Sequence, residues 1–167
     1  AFLLDIDSEY TVDAFCVSKK FRSSNYFFGR PLVNFEDVER IYPPSEYEMY
    51  ISATYSNQNK IRERFYVEAK NKGYSLLTYI SSKATNYSTK IGDNTFIFED
   101  NTIQPFVEIG NNVILWSGNH IGHHSIIEDN VFVSSHVVIS GHCRIGRNSF
   151  LGVNSTLRDG LKLGAYN

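Results

Sequence analysis

Stepping by six residues from Ile91 meets Ile97, Ile103, Ile109, Leu115, Ile121, Ile127, Val133, Ile139, Ile145, Leu151, Leu157 and Leu163, thirteen aliphatic residues in one unbroken register. Ile, Leu and Val occupy 37 of the 167 positions. A register of that length then arises by chance with a probability on the order of 10⁻⁸, before any choice of phase. A period of six is foreign to the α-helix and to the coiled-coil heptad. As a multiple of two, it lets an extended chain keep the same residue of every six facing inward. A second inward position must then lie at an even offset. Four residues after each aliphatic stand Thr95, Asn101, Val107, Val113, Asn119, Ser125, Val131, Val137, Cys143, Ser149, Ser155 and Leu161, mostly small or medium in size. Gly92, Gly110, Gly122, Gly146, Gly152 and Gly164 directly follow aliphatics of the register and suit corners where φ is positive or backbones crowd. Flat sides with tight corners make a prism. Its rungs complete one another's core, each buried aliphatic contributing about 1.5 to 3 kcal/mol before chain entropy is counted.

Before residue 85 the period vanishes. Residues 10–17 (YTVDAFCV) read as a strand, and Asn34 can cap a short helix, FEDVERIY, that stops at Pro43 and Pro44. Residues 47–53 read as a second strand. In residues 59–72, Ile61, Phe65 and Ala69 recur at helical spacing and Gly73 stands as the stop. Residues 74–80 complete a β-α-β-α-β order, which argues for a small parallel sheet in an α/β region.

A net charge of −2 with scattered Lys and Arg gives no electrostatic footprint for nucleic acid or an anionic membrane. No apolar run approaches the roughly 18 residues of a membrane span, and the first residues, AFLLDIDSEY, lack the basic start of a signal peptide. A soluble, cytoplasmic protein is expected. Cys16 and Cys143 have no metal-like spacing and read as free thiols. The chain begins with Ala1, so it is expected to be a piece of a longer product.

All five histidines fall between residues 120 and 142. If three six-residue sides make one coil, residues 18 apart stack at about 4.8 Å. His142 then stacks on His124, and Gly141 lies one coil beyond His123, leaving open space and an accessible N–H beside that imidazole. Three readings stay open. An imidazole, with an ordinary pKa near 6.5, can act as a general base. Stacked imidazoles can share a metal ion, although no Asp, Glu or Cys stacks with His124 and His142. The histidines can also be plain surface residues.

The segments IGHHS, ISGHCRIG and FLGVNS, with YTVDAFCVS, GRPLVNFEDVE and NKGYSLLTYIS in front of them, resemble the left-handed β-helix, or hexapeptide-repeat, acyltransferases. More narrowly, they look like the group that acetylates nucleotide-linked amino sugars and sialic acids for bacterial surface glycans, and the likeness covers nearly the whole chain. It implies an α/β N-terminal region with a partial Rossmann-like parallel sheet, residues 1–84, resembling a sugar-nucleotide-binding domain. An all-β left-handed parallel β-helix follows in residues 85–167. It further implies an acetyl-CoA donor, a nucleotide-linked sugar acceptor with N- or O-transfer open, a homotrimer with sites between subunits, and no metal. The family's catalytic histidine falls on His123, and the acidic residue that often orients it falls on His124. A second histidine on the acceptor side falls on Phe132, and the backbone N–H that holds the thioester carbonyl falls on Gly141. Relatives open with a Gly-rich phosphate-binding turn and continue through further coils. This sequence has neither, so it is expected to be a fragment trimmed at both ends or a degenerate homologue, with an inactive trimeric structural or binding homologue as the alternative.

Overall fold

The computed structural model describes residues 1–167. The hexads fold as the period requires, into two-residue strands that form three five-stranded parallel sheets. Partners lie 18 residues apart, as in the series Phe96, Ile114, Phe132 and Phe150 along one side. Nine aliphatics of the register, Ile97 to Ile145, are at most 1% exposed, Leu151 and Leu157 are 6% exposed, and Ile91 and Leu163 close the ends of the core. The second inward column is buried too from Thr95 to Ser149, with Ser155 and Leu161 half-buried at the end. Its polar members hydrogen-bond to the next coil: Ser125 Oγ donates to the Ser140 carbonyl, and the Val137 N–H donates to Asn119 Oδ1.

The prism begins two sides before the sequence register does. Tyr79–Ile80 pairs with Phe96–Ile97 and Thr85–Asn86 with Thr102–Ile103, a spacing of 17 that returns to 18 at Lys90–Ile91. A single missing residue between these strands shifts the phase and hides the first rung. The expected strand 74–80 is therefore divided. Leu76 bridges Met49 in parallel, while Tyr79–Ile80 joins the prism.

The corners differ from expectation in one respect. The glycines after the aliphatics are not at positive φ. Gly92, Gly110, Gly122 and Gly146 are required by crowding, a Cβ on Gly122 standing 2.5 Å from the Gly141 nitrogen, whereas Gly152 and Gly164 near the last coil have ordinary room. The left-handed residue comes two positions later. Asn94, Asp100, Phe106, Asn112, Gly118, His124, Asn130, His136, His142, Asn148, Asn154, Gly160 and Tyr166 all have φ between 50° and 75°. Asn, Asp, His and Gly tolerate that region best, which accounts for eleven of the thirteen.

In front of the prism, Phe15–Val17 pairs in parallel with Arg30–Asn34, which forms a hairpin with Tyr26–Phe27. The helix expected over residues 59–72 runs Lys60–Asn71, and the one expected after Asn34 is a 3₁₀ turn followed by Val38–Ile41. This α/β part covers one side of the prism, where Leu4, Leu77, Tyr79, Phe96, Ile114 and Phe132 form a shared core. Arg62, from the first turn of the Lys60–Asn71 helix, is fully buried. Its Nη2 donates to the carbonyls of Asn112, Asn130 and Val131 at 3.0 to 3.2 Å. Burial pulls its pKa down to about 10, so it stays a cation at neutral pH.

Candidate functional site

Every corner of the prism is a column of residues 18 apart. One column reads Phe106, His124, His142 and Gly160, and its first three side chains are exposed. Stacking was expected for His124 and His142, and their rings lie 4.9 Å apart at 18°. The Phe106 ring continues the stack below His124 at 4.7 Å. Backbone hydrogen bonds fix the column. The His142 N–H donates to the His123 carbonyl at 2.9 Å, and the His124 N–H to the Pro105 carbonyl at 3.3 Å.

His123 stands just before the left-handed residue and turns back over the corner. Its Nδ1 lies 3.1 Å from Nδ1 of His124, so one imidazole donates to the other. Its opposite edge faces Gly141: a Cβ added there would meet His123 Cε1 at 2.8 Å, Nε2 at 2.9 Å and Asp159 Oδ1 at 3.0 Å. The open space expected above Gly141 is thus taken by the ring itself, which can lie there only because residue 141 is glycine. The Gly141 N–H donates to no group of the chain. His123's own N–H donates to Gln104 Oε1 at 2.9 Å, which anchors the base of the side chain.

The structure therefore brings His123, His124 and Gly141 together and adds His142, one ring nitrogen of each imidazole lying within 4.8 Å of the others. Asp159 was not singled out by sequence, although it sits 36 residues, or two coils, after His123. Phe132 lies elsewhere, buried under Tyr55 and Arg62 and stacked on Phe150. The side that starts at the histidine corner carries a cleft of about 230 Å³ between Lys90, Glu108, Ile126, Glu128, Asp129 and Arg147. His120 is on a strand and His136 on another corner column, apart from this group. No helix is long and apolar enough to cross a membrane.

Residues 88–123 and 124–159 match the model of the bacterial transferase hexapeptide, six repeats each. The match covers the greater part of the prism, which has the left-handed β-helix fold. Among solved structures, the chain is similar to a mutant of perosamine N-acetyltransferase from Caulobacter crescentus in complex with CoA and GDP-perosamine. The TM-score is 0.77 at 17% identity, over 85% of this chain and 67% of that one. It is similar to the acetyltransferase domain of PglB from Neisseria gonorrhoeae, with a TM-score of 0.77 at 21% identity over 86% and 70% of the two chains. WeeI from Acinetobacter baumannii shares the fold at a TM-score of 0.56 and 14% identity, over 90% and 79%. No curated protein sequence matches the chain.

Proposed function

We propose that the protein is an acetyltransferase that moves the acetyl group of acetyl-CoA to an amino or hydroxyl group of a nucleotide-linked sugar, with His123 as general base. The observation that carries this reading is the seat of His123, gripped at Nδ1 by His124 and laid with Nε2 over a glycine whose N–H is unbonded. In the tautomer this reading requires, His123 Nδ1–H donates to His124 Nδ1 and the lone pair is on Nε2. That nitrogen takes the acceptor's proton as the acceptor attacks the thioester carbon, and the Gly141 N–H steadies the oxygen that becomes negative. The proton then leaves with the CoA sulfur. An imidazole at position 124 orients the base but brings no negative charge to the imidazolium that forms.

The fold shared with structures holding acetyl-CoA, or CoA with GDP-perosamine, supports the choice of donor and acceptor class. The division into a front part, 1–84, and a catalytic β-helix, 85–167, belongs to the same reading, with Tyr79–Ile80 lending the helix its first rung. So do a homotrimer with sites between subunits and a cytoplasmic location, the latter supported by two free cysteines. The rival is a trimer that keeps the prism without turnover, and the imidazole in place of an orienting carboxylate favours it. Thiol release from acetyl-CoA across a panel of UDP-, GDP- and dTDP-linked amino sugars separates the two. Release with one of them is expected, and none with any of them supports the rival.

A further inference from the structure

Acetyl transfer as proposed uses two of the three imidazoles at the corner and leaves His142 without a task. The three are held by rigid means, two by successive rungs at one corner and the third by the residue beside it. Their side chains are exposed, so ring rotation is cheap. One nitrogen of each already lies within 4.8 Å of the others, and the His123 and His124 Nδ1 atoms are 3.1 Å apart. A tetrahedral ion with metal–nitrogen bonds of about 2.0 to 2.1 Å needs ligand nitrogens about 3.3 Å apart. The His123 and His124 pair is near this spacing before any ion enters, and His142, whose ligand atom lies within 4.8 Å of the other two, has to come closer by rotation of its exposed ring.

The geometry points to a site for one divalent transition-metal ion of the zinc class, held by His123, His124 and His142 and open to solvent at its fourth position. A ligand set of imidazoles selects zinc, nickel or copper over magnesium and calcium. Binding has a chemical consequence for His123. A metal on Nδ1 takes the lone pair there, so the ring's single proton moves through solvent to Nε2, and no proton is gained or lost overall. Nε2 is the nitrogen that must be bare to accept the acceptor's proton. Metal binding and the working base are therefore exclusive, and zinc is an inhibitor. The inhibition rests on the acetyltransferase reading, whereas the binding does not.

Titration of the tag-free protein with CoCl₂, followed by visible absorbance, tests the binding alone. One Co²⁺ per chain with tetrahedral bands is expected, displaced by ZnCl₂ and unaffected by MgCl₂ or CaCl₂. His142→Asn keeps a residue that tolerates the left-handed corner and should weaken binding about tenfold or more. His136→Asn, on another corner, should leave it unchanged. In the transfer assay ZnCl₂ should inhibit the wild type over the same concentration range and EDTA should restore it, while His142→Asn stays active and resists zinc. Equal Co²⁺ affinity in His142→Asn and wild type, or no tetrahedral signal, overturns the site. A signal that depends on His142 without inhibition by zinc keeps the site and strikes the acetyltransferase reading instead.

Discussion

Two corner columns of one prism have the same backbone and different fates. In the column Asn94, Asn112, Asn130 and Asn148, φ runs from 50° to 62°, and in Phe106, His124 and His142 it runs from 55° to 65°. The first column is buried under the front part, and its amides form a ladder. Asn94 Nδ2 donates to Asn112 Oδ1 at 2.7 Å, Asn112 to Asn130 at 2.7 Å and Asn130 to Asn148 at 3.4 Å. The front part closes both ends, through the Ile51 N–H on Asn94 and through Glu63, which accepts from Asn148. The second column faces solvent and carries rings. A left-handed corner asks for a residue type, but its surroundings decide what that residue does. Where the corner is covered, a side chain with donor and acceptor satisfies its own neighbours. Where it is open, the same backbone holds rings out to solvent.

The core beneath both columns gives the largest expected effect. Ile127 is 1% exposed, so Ile127→Asp buries an unpaired charge and should abolish the cooperative thermal transition altogether. A folded Ile127→Asp protein would mean that the inward register does not carry the prism. Next come the columns themselves. Asn112→Ala removes two amide hydrogen bonds and puts Ala at φ 57°, and should cost about 3 kcal/mol by denaturant titration. His136→Ala, at an exposed corner, should cost only about 1 kcal/mol. Equal losses would mean that the cover over a corner does not decide what its residue contributes.

Smaller effects sharpen it. Phe106 holds φ 65° while 58% exposed, a conformation with no core burial to offset it. Phe106→Asn should raise stability by about 0.5 to 1 kcal/mol while raising KM, if the ring is kept for contact at the site. A rise in stability without any change in KM would make Phe106 an accident of the surface. On the covered side, hydrogen bonds from Ser82, Tyr79 and Ser81 hold the Asp7 carboxyl far below the usual carboxylate range. A carboxyl depressed in the folded state contributes fully above its ordinary pKa of about 3.9 and loses that contribution as pH falls toward the folded value. Stability should therefore fall with acidification below about pH 4 more steeply in wild type than in Asp7→Asn, and parallel acid slopes would remove Asp7 as an anchor.

Much of the prism is legible in the sequence because the aliphatic register repeats a physical demand at every rung. The first two sides, Tyr79–Ile80 and Thr85–Asn86, are not, since one missing residue before Lys90 breaks the count. The front sheet is also hard to read: Tyr26–Phe27 and Arg30–Asn34 are short, flank a turn at Phe28 and Gly29, and lack alternation. For the site, the step of 18 places His142 on His124 and Gly141 beside His123, whereas the 3.1 Å contact between neighbours depends on side-chain rotation that no spacing encodes. The cluster of five histidines is partly a backbone effect. His124, His136 and His142 occupy left-handed corners, where histidine is enriched for its conformation. His123 does not, and no corner rule explains its presence.

That residue decides the account. Turnover of His123→Ala should be measured beside its melting temperature and its mass by light scattering, with the latter two equal to wild type and the mass three times the 19.1 kDa chain. Loss of a positioned general base should lower turnover by about 10² to 10⁴, with His124→Ala losing less because it only orients the base. Full turnover in a folded, trimeric His123→Ala protein would contradict the claim that the exposed corner is the chemical one.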